Sequence, residues 1–218
     1  AGEREAAAHR LFTEFCAHEE VVLEAAPGEA GRISAQWHVE VGQEARWIAT
    51  YGTTADLLVA SRGAPGEDAA ARSTLEAMLV ETGRPLLIPA PVTSPVVAER
   101  IAIAWKPTPQ AARAVAFAMP FLVRAKEVAV LTVEEEDAPR DDAQRLVGYL
   151  AWHGVNAAAE SLAPDRHGAA ETLLAVAGAK ATLLVMGGYG HSQLREWVFG
   201  GFTQSVLAAA PIAVLMAH

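Results

Sequence analysis

Apolar strands alternate with amphipathic helices through the second half of the chain, and this alternation leaves few folds open. Residues 101–105 form an apolar run rich in Ile and Ala, followed by the turn Lys106-Pro-Thr-Pro109. Pro109 suits the first position of a helix, and Ala112, Val115, Met119 and Leu122 then recur at helical spacing. Residues 128–133 read as a second strand, and Ala143, Leu146, Val147 and Leu150 mark a second helix. A weaker strand over 155–162, a helix over 169–177 and a strand over 181–186 come next, then a helix over 203–209 and a strand over 212–216. Strands that are apolar on both faces, each followed by a helix, predict a parallel sheet covered on both sides.

The strand over 181–186 runs directly into Gly187-Gly-Tyr-Gly190, and the segment closes on Gly200-Gly201. Glycines at a strand-to-helix junction let the backbone take positive φ and let a ligand approach the main chain. The amides at the start of the following helix suit an anion. The spacing Gly187-x2-Gly190-x9-Gly200 is more specific than glycine richness alone.

Composition narrows the function classes. With 52% apolar and 20% charged residues the chain is globular, and no apolar run reaches the roughly 18 residues of a membrane span. Cys16 is the single cysteine, so no disulfide forms within the chain and a reducing cytoplasm is expected. The net charge is −9; residues 1–93 carry 7 basic and 14 acidic side chains, residues 94–218 carry 10 and 12. Neither part holds a basic stripe, so neither nucleic acid nor a membrane is expected as a partner. Glu134-Glu-Glu-Asp137 reads as a solvated loop.

The first half repeats the later part of the pattern. A shift of 126 residues lays Gly42 on Gly168, Ala49 on Ala175, Gly52 on Gly178 and Ala55 on Ala181. The same shift lays Leu57-Leu-Val59 on Leu183-Leu-Val185, and Pro85 on Pro211. Upstream, residues 11–21 resemble 146–155 at a shift of 135, with His18 on His153, so the first copy carries an insertion around residues 25–31. In that register the first copy lacks its opening strand, helix and strand. The expectation is that chain precedes Ala1, because the sheet would otherwise leave a strand edge open.

These features resemble the universal stress protein family in its tandem two-domain form. The resemblance rests on the glycine motif, its flanking Leu183-Leu-Val-Met186, the closing Ala210-Pro-Ile-Ala-Val-Leu215, and Ile101-Ala-Ile-Ala-Trp105 with Gln110-Ala-Ala-Arg113. It covers residues 100–218 closely and 5–90 more loosely. It implies two Rossmann-like, flavodoxin-like (HUP-type) α/β domains, each an open five-stranded parallel sheet in the order 3-2-1-4-5. Residues 1–93 would be a degenerate, incomplete copy and 94–218 the copy with the motif. In members that bind ATP, the first two glycines lie near the nucleotide, and the third, with a following Ser or Thr, surrounds the phosphates. An Asp after the first strand contacts the nucleoside part, and a main-chain group on the second strand contacts adenine. By position the resemblance therefore implies Gly187, Gly190, Gly200, Gly201, Lys106 and Val133, with Trp105 bordering the pocket. The implied ligand is ATP or another adenine nucleotide with its associated Mg²⁺. The implied role is a stress-response binding protein with little or no catalysis, forming a homodimer or a pseudo-dimer of its repeats, with the strand over 212–216 at an edge where it pairs across the dimer.

Two positions depart from the nucleotide-binding pattern. Gly201 stands where Ser or Thr is usual, and Lys106 replaces an acceptor carboxylate with a donor-only cation. Ser192 and Thr203 keep hydroxyls nearby, and Arg195 adds a cation. In the first copy Ser61, Ala64 and Thr74 face the three glycines, so no second site of this kind is expected. Two other readings stay open: a family member without nucleotide that acts through dimerisation and protein contacts, and a slow ATPase. His191 beside Ser192 makes no catalytic pair, since neighbours on a loop rarely aim at each other. The histidines show no metal-binding spacing.

Overall fold

The computed structural model describes residues 2–24, 28, 31–61, 68–92, 97–134, 141–166, 168–188 and 201–218. The chain divides into two compact units, Ala1–Gly42 and Gln43–His218. The smaller unit holds helix α1 (Gly2–His18) and two short parallel strands, β1 (Val22–Leu23) and β2 (Ser34–Ala35). Trp37 anchors it, with its ring centroid 5.2 Å from those of both His9 and Phe12 on α1.

The larger unit is an α/β sandwich. Its elements in chain order are α2 (Glu44–Gly52), β3 (Leu58–Val59), α3 (Asp68–Glu81), β4 (Leu86–Ile88), β5 (Arg100–Ala104) and α4 (Pro109–Leu122). They continue with β6 (Glu127–Val133), α5 (Asp142–Trp152), β7 (Ala157–Leu162), α6 (Ala169–Lys180), β8 (Leu183–Gly187), α7 (Gly201–Ala209) and β9 (Ala213–Ala217). Seven strands form one sheet in the order β3-β4-β9-β8-β5-β6-β7. The run β7-β6-β5-β8-β9 is parallel throughout and follows the expected order 3-2-1-4-5. Among the described residues no helix is long and apolar enough to cross a membrane.

Alternation along the strands sorts the core into two layers. Ala102, Leu131, Leu184, Met186 and Val214 meet Leu173, Leu174 and Ala177 of α6, Val206 of α7 and Leu79 of α3. On the other face Ile101, Ile103, Val130, Val185 and Leu215 meet Ala114, Val115 and Ala118 of α4 and Leu146 and Leu150 of α5. Local signals start the helices where the sequence places them. Thr108 caps α4 by accepting from Ala111 N at 3.2 Å, with Pro109 in the first turn.

The expectation that the last strand is an edge is corrected. β9 is an interior strand, with β8 on one side and β4 on the other. Pro211 precedes the strand and removes no ladder bond, so it is compatible with an interior place. β4 and β9 pair antiparallel, as Leu86↔Met216, Leu87↔Leu215 and Ile88↔Val214. The last pair has a simple property: 88 and 214 are themselves one repeat shift of 126 apart. The same shift lays α2 within α6, β3 within β8 and β4 against β9. It also relates Gly42 (φ 145°) to Gly168 (φ 107°), two glycines that turn the chain into α2 and α6 in a conformation closed to most side chains.

Candidate functional site

Strand order reverses between β5 and β8: β6 lies on one side of β5, β8 on the other, and the helices after β5 and β8 cover opposite faces. Such a switch point leaves a crevice beyond the carboxyl ends of the two strands. The register Ala104↔Met186 and Ala104↔Leu131 brings Trp105, Gly187 and the end of β6 to the same end of the sheet. Trp105 extends the ladder, its N–H donating to Leu131 O at 2.8 Å, while its side chain packs on the α4–α5 layer.

Gly187 is explained by close approach. A Cβ built there would stand 2.6 Å from Ala111 N and 2.9 Å from Gln110 C, so the first turn of α4 rests on the bare end of β8. The glycine thus brings a helix start and two strand ends together. Gly188 continues the strand by donating to Ala217 O at 2.8 Å, and its carbonyl lies 3.3 Å from His218 Nδ1. Arg113 on α4 donates from Nε to His218 O at 2.6 Å, tying the helix to the end of β9.

Two residues near this end of the sheet each carry a buried polar atom with no hydrogen-bond partner among the described residues: Trp105 Nε1, a donor, and Gln110 Oε1, an acceptor. Buried groups of this kind are rare in folded proteins and call for an explanation, such as a water or a ligand. Lys106 lies exposed just past β5, with its carbonyl accepting from Thr108 N at 2.7 Å. Val133 is half-buried at the end of β6. Gly201 opens α7, and Thr203, in the first turn of that helix, is 5% exposed.

Of the residues expected from the sequence, Trp105, Lys106, Val133 and Gly187 therefore gather at the carboxyl end of the sheet. Thr203 sits on α7, which packs on the opposite layer from Trp105. Gly190, Ser192 and Gly200 lie outside the described residues. Gln110, Arg113 and His218 are additions that site reasoning from the sequence did not reach. A polar residue in the first turn of the helix after β5 is the signal that points to Gln110.

A groove of about 580 Å³ lies at the amino ends of β5, β6 and β7 beside the end of α6. Its cations are largely engaged: Lys126 pairs with Glu99, and Lys180 with Glu160 at 2.5 Å. The Lys126 ammonium holds the Glu99 carboxyl below its ordinary value. Because ligands of open parallel sheets sit beyond the carboxyl ends, we place the candidate site at the β5–β8 crevice. Among the described residues no cluster of three or more His, Cys, Asp or Glu side chains is arranged to hold a metal ion.

The fold is that of an open-sheet α/β protein whose strand order reverses between β5 and β8. The Universal stress protein family matches residues 98–218, more than half of the chain, and the chain belongs to that family. Among solved structures it is similar to a universal stress protein from Archaeoglobus fulgidus DSM 4304, at 18% identity and a TM-score of 0.71, covering 99% of this chain and 77% of that one. It is also similar to a functionally unknown protein from Pseudomonas aeruginosa PAO1, at 17% identity and a TM-score of 0.60, covering 97% and 76%. At these identities the likeness is one of fold. No curated protein matches the chain.

Proposed function

We propose that the chain is a stress-response binding protein in tandem two-domain form that takes one adenine nucleotide, with little or no turnover, in the β5–β8 crevice. The observation that carries this reading is the pair of unpartnered buried atoms just past β5 and at the start of α4, Trp105 Nε1 and Gln110 Oε1. A ligand presenting both an acceptor and a donor satisfies the two, and a nucleotide presents both. Gly187 lets the first turn of α4 rest on the end of β8, beside the strand ends. Lys106 carries a positive charge and no acceptor, so it suits a phosphate and not a ribose hydroxyl that must donate. Gly201 and the start of α7 supply backbone N–H groups, and Thr203 the nearest described hydroxyl on that helix. The buried Cys16 accords with a reducing cytoplasm.

Heat denaturation with ATP, ADP or AMP tests the reading. Ligand at 100 times its Kd adds about 2.7 kcal/mol of stability, so a rise in Tm is expected with at least one of them. Trp105→Phe, which keeps the ring bulk and removes the N–H donor, is expected to weaken the effect. No shift with any nucleotide at millimolar levels would sink the reading. That outcome would favour the second one, a family member acting through dimerisation and protein contacts.

A further inference from the structure

The groove at the amino ends of β5, β6 and β7 has a floor of methyl groups. On the α6 side of the sheet, strand register sets its side chains in rows. Arg100 and Glu127 are partners in the first row. Ala102, Ala129 and Ala158 make the second, and Ala104, Leu131 and Glu160 the third. The packing that buries Ala102 and Leu131 completely leaves Ala129 half-buried and Ala158 exposed. An exposed position on an edge strand usually carries a charged side chain that blunts the edge. Here β7, at the end of the sheet, offers alanine. Ala179 and Ala181 at the end of α6 wall the groove, and Lys180 between them is held by Glu160. Lys126 is likewise held by Glu99. Arg100 is different: its side chain is exposed at the rim and makes no hydrogen bond or ion pair among the described residues.

We infer that this groove binds a small aromatic acid, a single ring bearing one carboxylate and a hydroxyl or amine. The ring lies on the methyl floor, where Ala129 and Ala158 sit on neighbouring strands about 5 Å apart, a spacing that one ring spans. Arg100 takes the carboxylate through its planar fork of donors. Glu127 and Glu160, on the rows either side of the floor, accept from the hydroxyl or amine and repel a second acid group. With its other two cations already paired, the rim suits a single negative charge and not a polyanion. The volume is also that of a small-molecule site, which spans roughly 300–1,000 Å³ and combines an apolar lining with a few polar groups. The groove lies at the opposite end of the strands from the β5–β8 crevice, so this inference stands or falls apart from the nucleotide reading.

Isothermal titration of the full chain with para-hydroxybenzoate tests the proposal, with its neutral amide and inorganic phosphate as comparison probes. The expected result is one equivalent of the acid bound with a submillimolar dissociation constant. The amide, which lacks the charge, and phosphate, which lacks the ring, should each bind at least tenfold more weakly. Arg100→Gln should weaken the acid at least tenfold by removing the fork. Ala158→Leu should do the same by filling the floor. Both positions are exposed, so the Tm of each unliganded variant should stay close to that of the wild type, which separates loss of the site from loss of the fold. No binding of the acid at millimolar concentration, phosphate bound as tightly as the acid, or an affinity that neither substitution changes would overturn the proposal.

Discussion

Leu-Leu-Val occurs at residues 57–59 and again at 183–185, and the two occurrences have opposite surroundings. In β8 all three side chains are 0% exposed; in the first half both leucines are only half-buried and Val59 is 58% exposed. The residues are the same, so the difference comes from their neighbours. Among the described residues β8 is hydrogen-bonded to β5 and to β9, whereas β3 is bonded only to β4. A strand flanked on both sides extends over five residues, and its one-sided counterpart over two. Burial in a sheet is thus set by the strands alongside as much as by the apolar run itself.

Removing the same methyl groups from both sites is the strongest way to break this comparison. Leu184→Ala is expected to cost about 2–5 kcal/mol, the range for a fully buried leucine. Leu58→Ala, at a half-exposed site, should cost about 1 kcal/mol. Urea denaturation measures both, and equal losses would refute the argument from neighbours. A smaller effect separates the loops that follow. Gly187→Ala drives a methyl into the backbone of α4 and should cost about 1–3 kcal/mol. Ser61→Ala, at the equivalent exposed position, should stay within about 0.5 kcal/mol.

Gly178 and Gly52 sharpen the comparison further, because both lie where a helix presses on the connection before the next strand. A Cβ on Gly178 would meet Pro211 Cγ at 2.7 Å, and one on Gly52 would meet Thr82 Cγ2 at 2.7 Å. Both alanine variants should destabilise, Gly178→Ala more so. The proline ring has no rotamer to yield, whereas Thr82 can turn at the cost of its 2.5 Å bond to Met78 O. A Tm comparison in which Gly52→Ala loses more would reverse that ranking. The smallest effect concerns the β5–β6 neighbours that β3 lacks. Lys126 lowers the Glu99 carboxyl from 4.5, so the pair adds stability above that value and loses it as pH falls through the lowered one. The Tm advantage of the wild type over Glu99→Gln should therefore shrink on acidification from pH 6 to pH 3. It should be slight, because the pair is solvent-accessible.

The sequence made the downstream half legible because strands buried on both faces leave continuous apolar runs, and Thr108-Pro109 announces its helix. β7 was fainter: its pattern, Ala157-Ala-Ala-Glu-Ser-Leu162, is that of a strand exposed along one edge. The β4–β9 junction was not legible, since an apolar run specifies burial and does not name its neighbour. The repeat held the missing information, because the pairing Ile88↔Val214 obeys the same 126-residue shift that aligns the sequences. At the site, Gly187 was visible as a motif, but the contact with Ala111 that requires glycine is made across the fold. The unpartnered atoms of Trp105 and Gln110 were hidden for the same reason.

The central proposal is that residues 94–218 take a nucleotide while residues 1–93, with Ser61, Ala64 and Thr74 in place of the glycines, do not. Isothermal titration of the full chain with ATP and with ADP tests this most directly. One nucleotide bound per chain, with binding weakened by Trp105→Phe, is the predicted result. Two equivalents per chain, or no binding of either nucleotide at millimolar concentration, would contradict it.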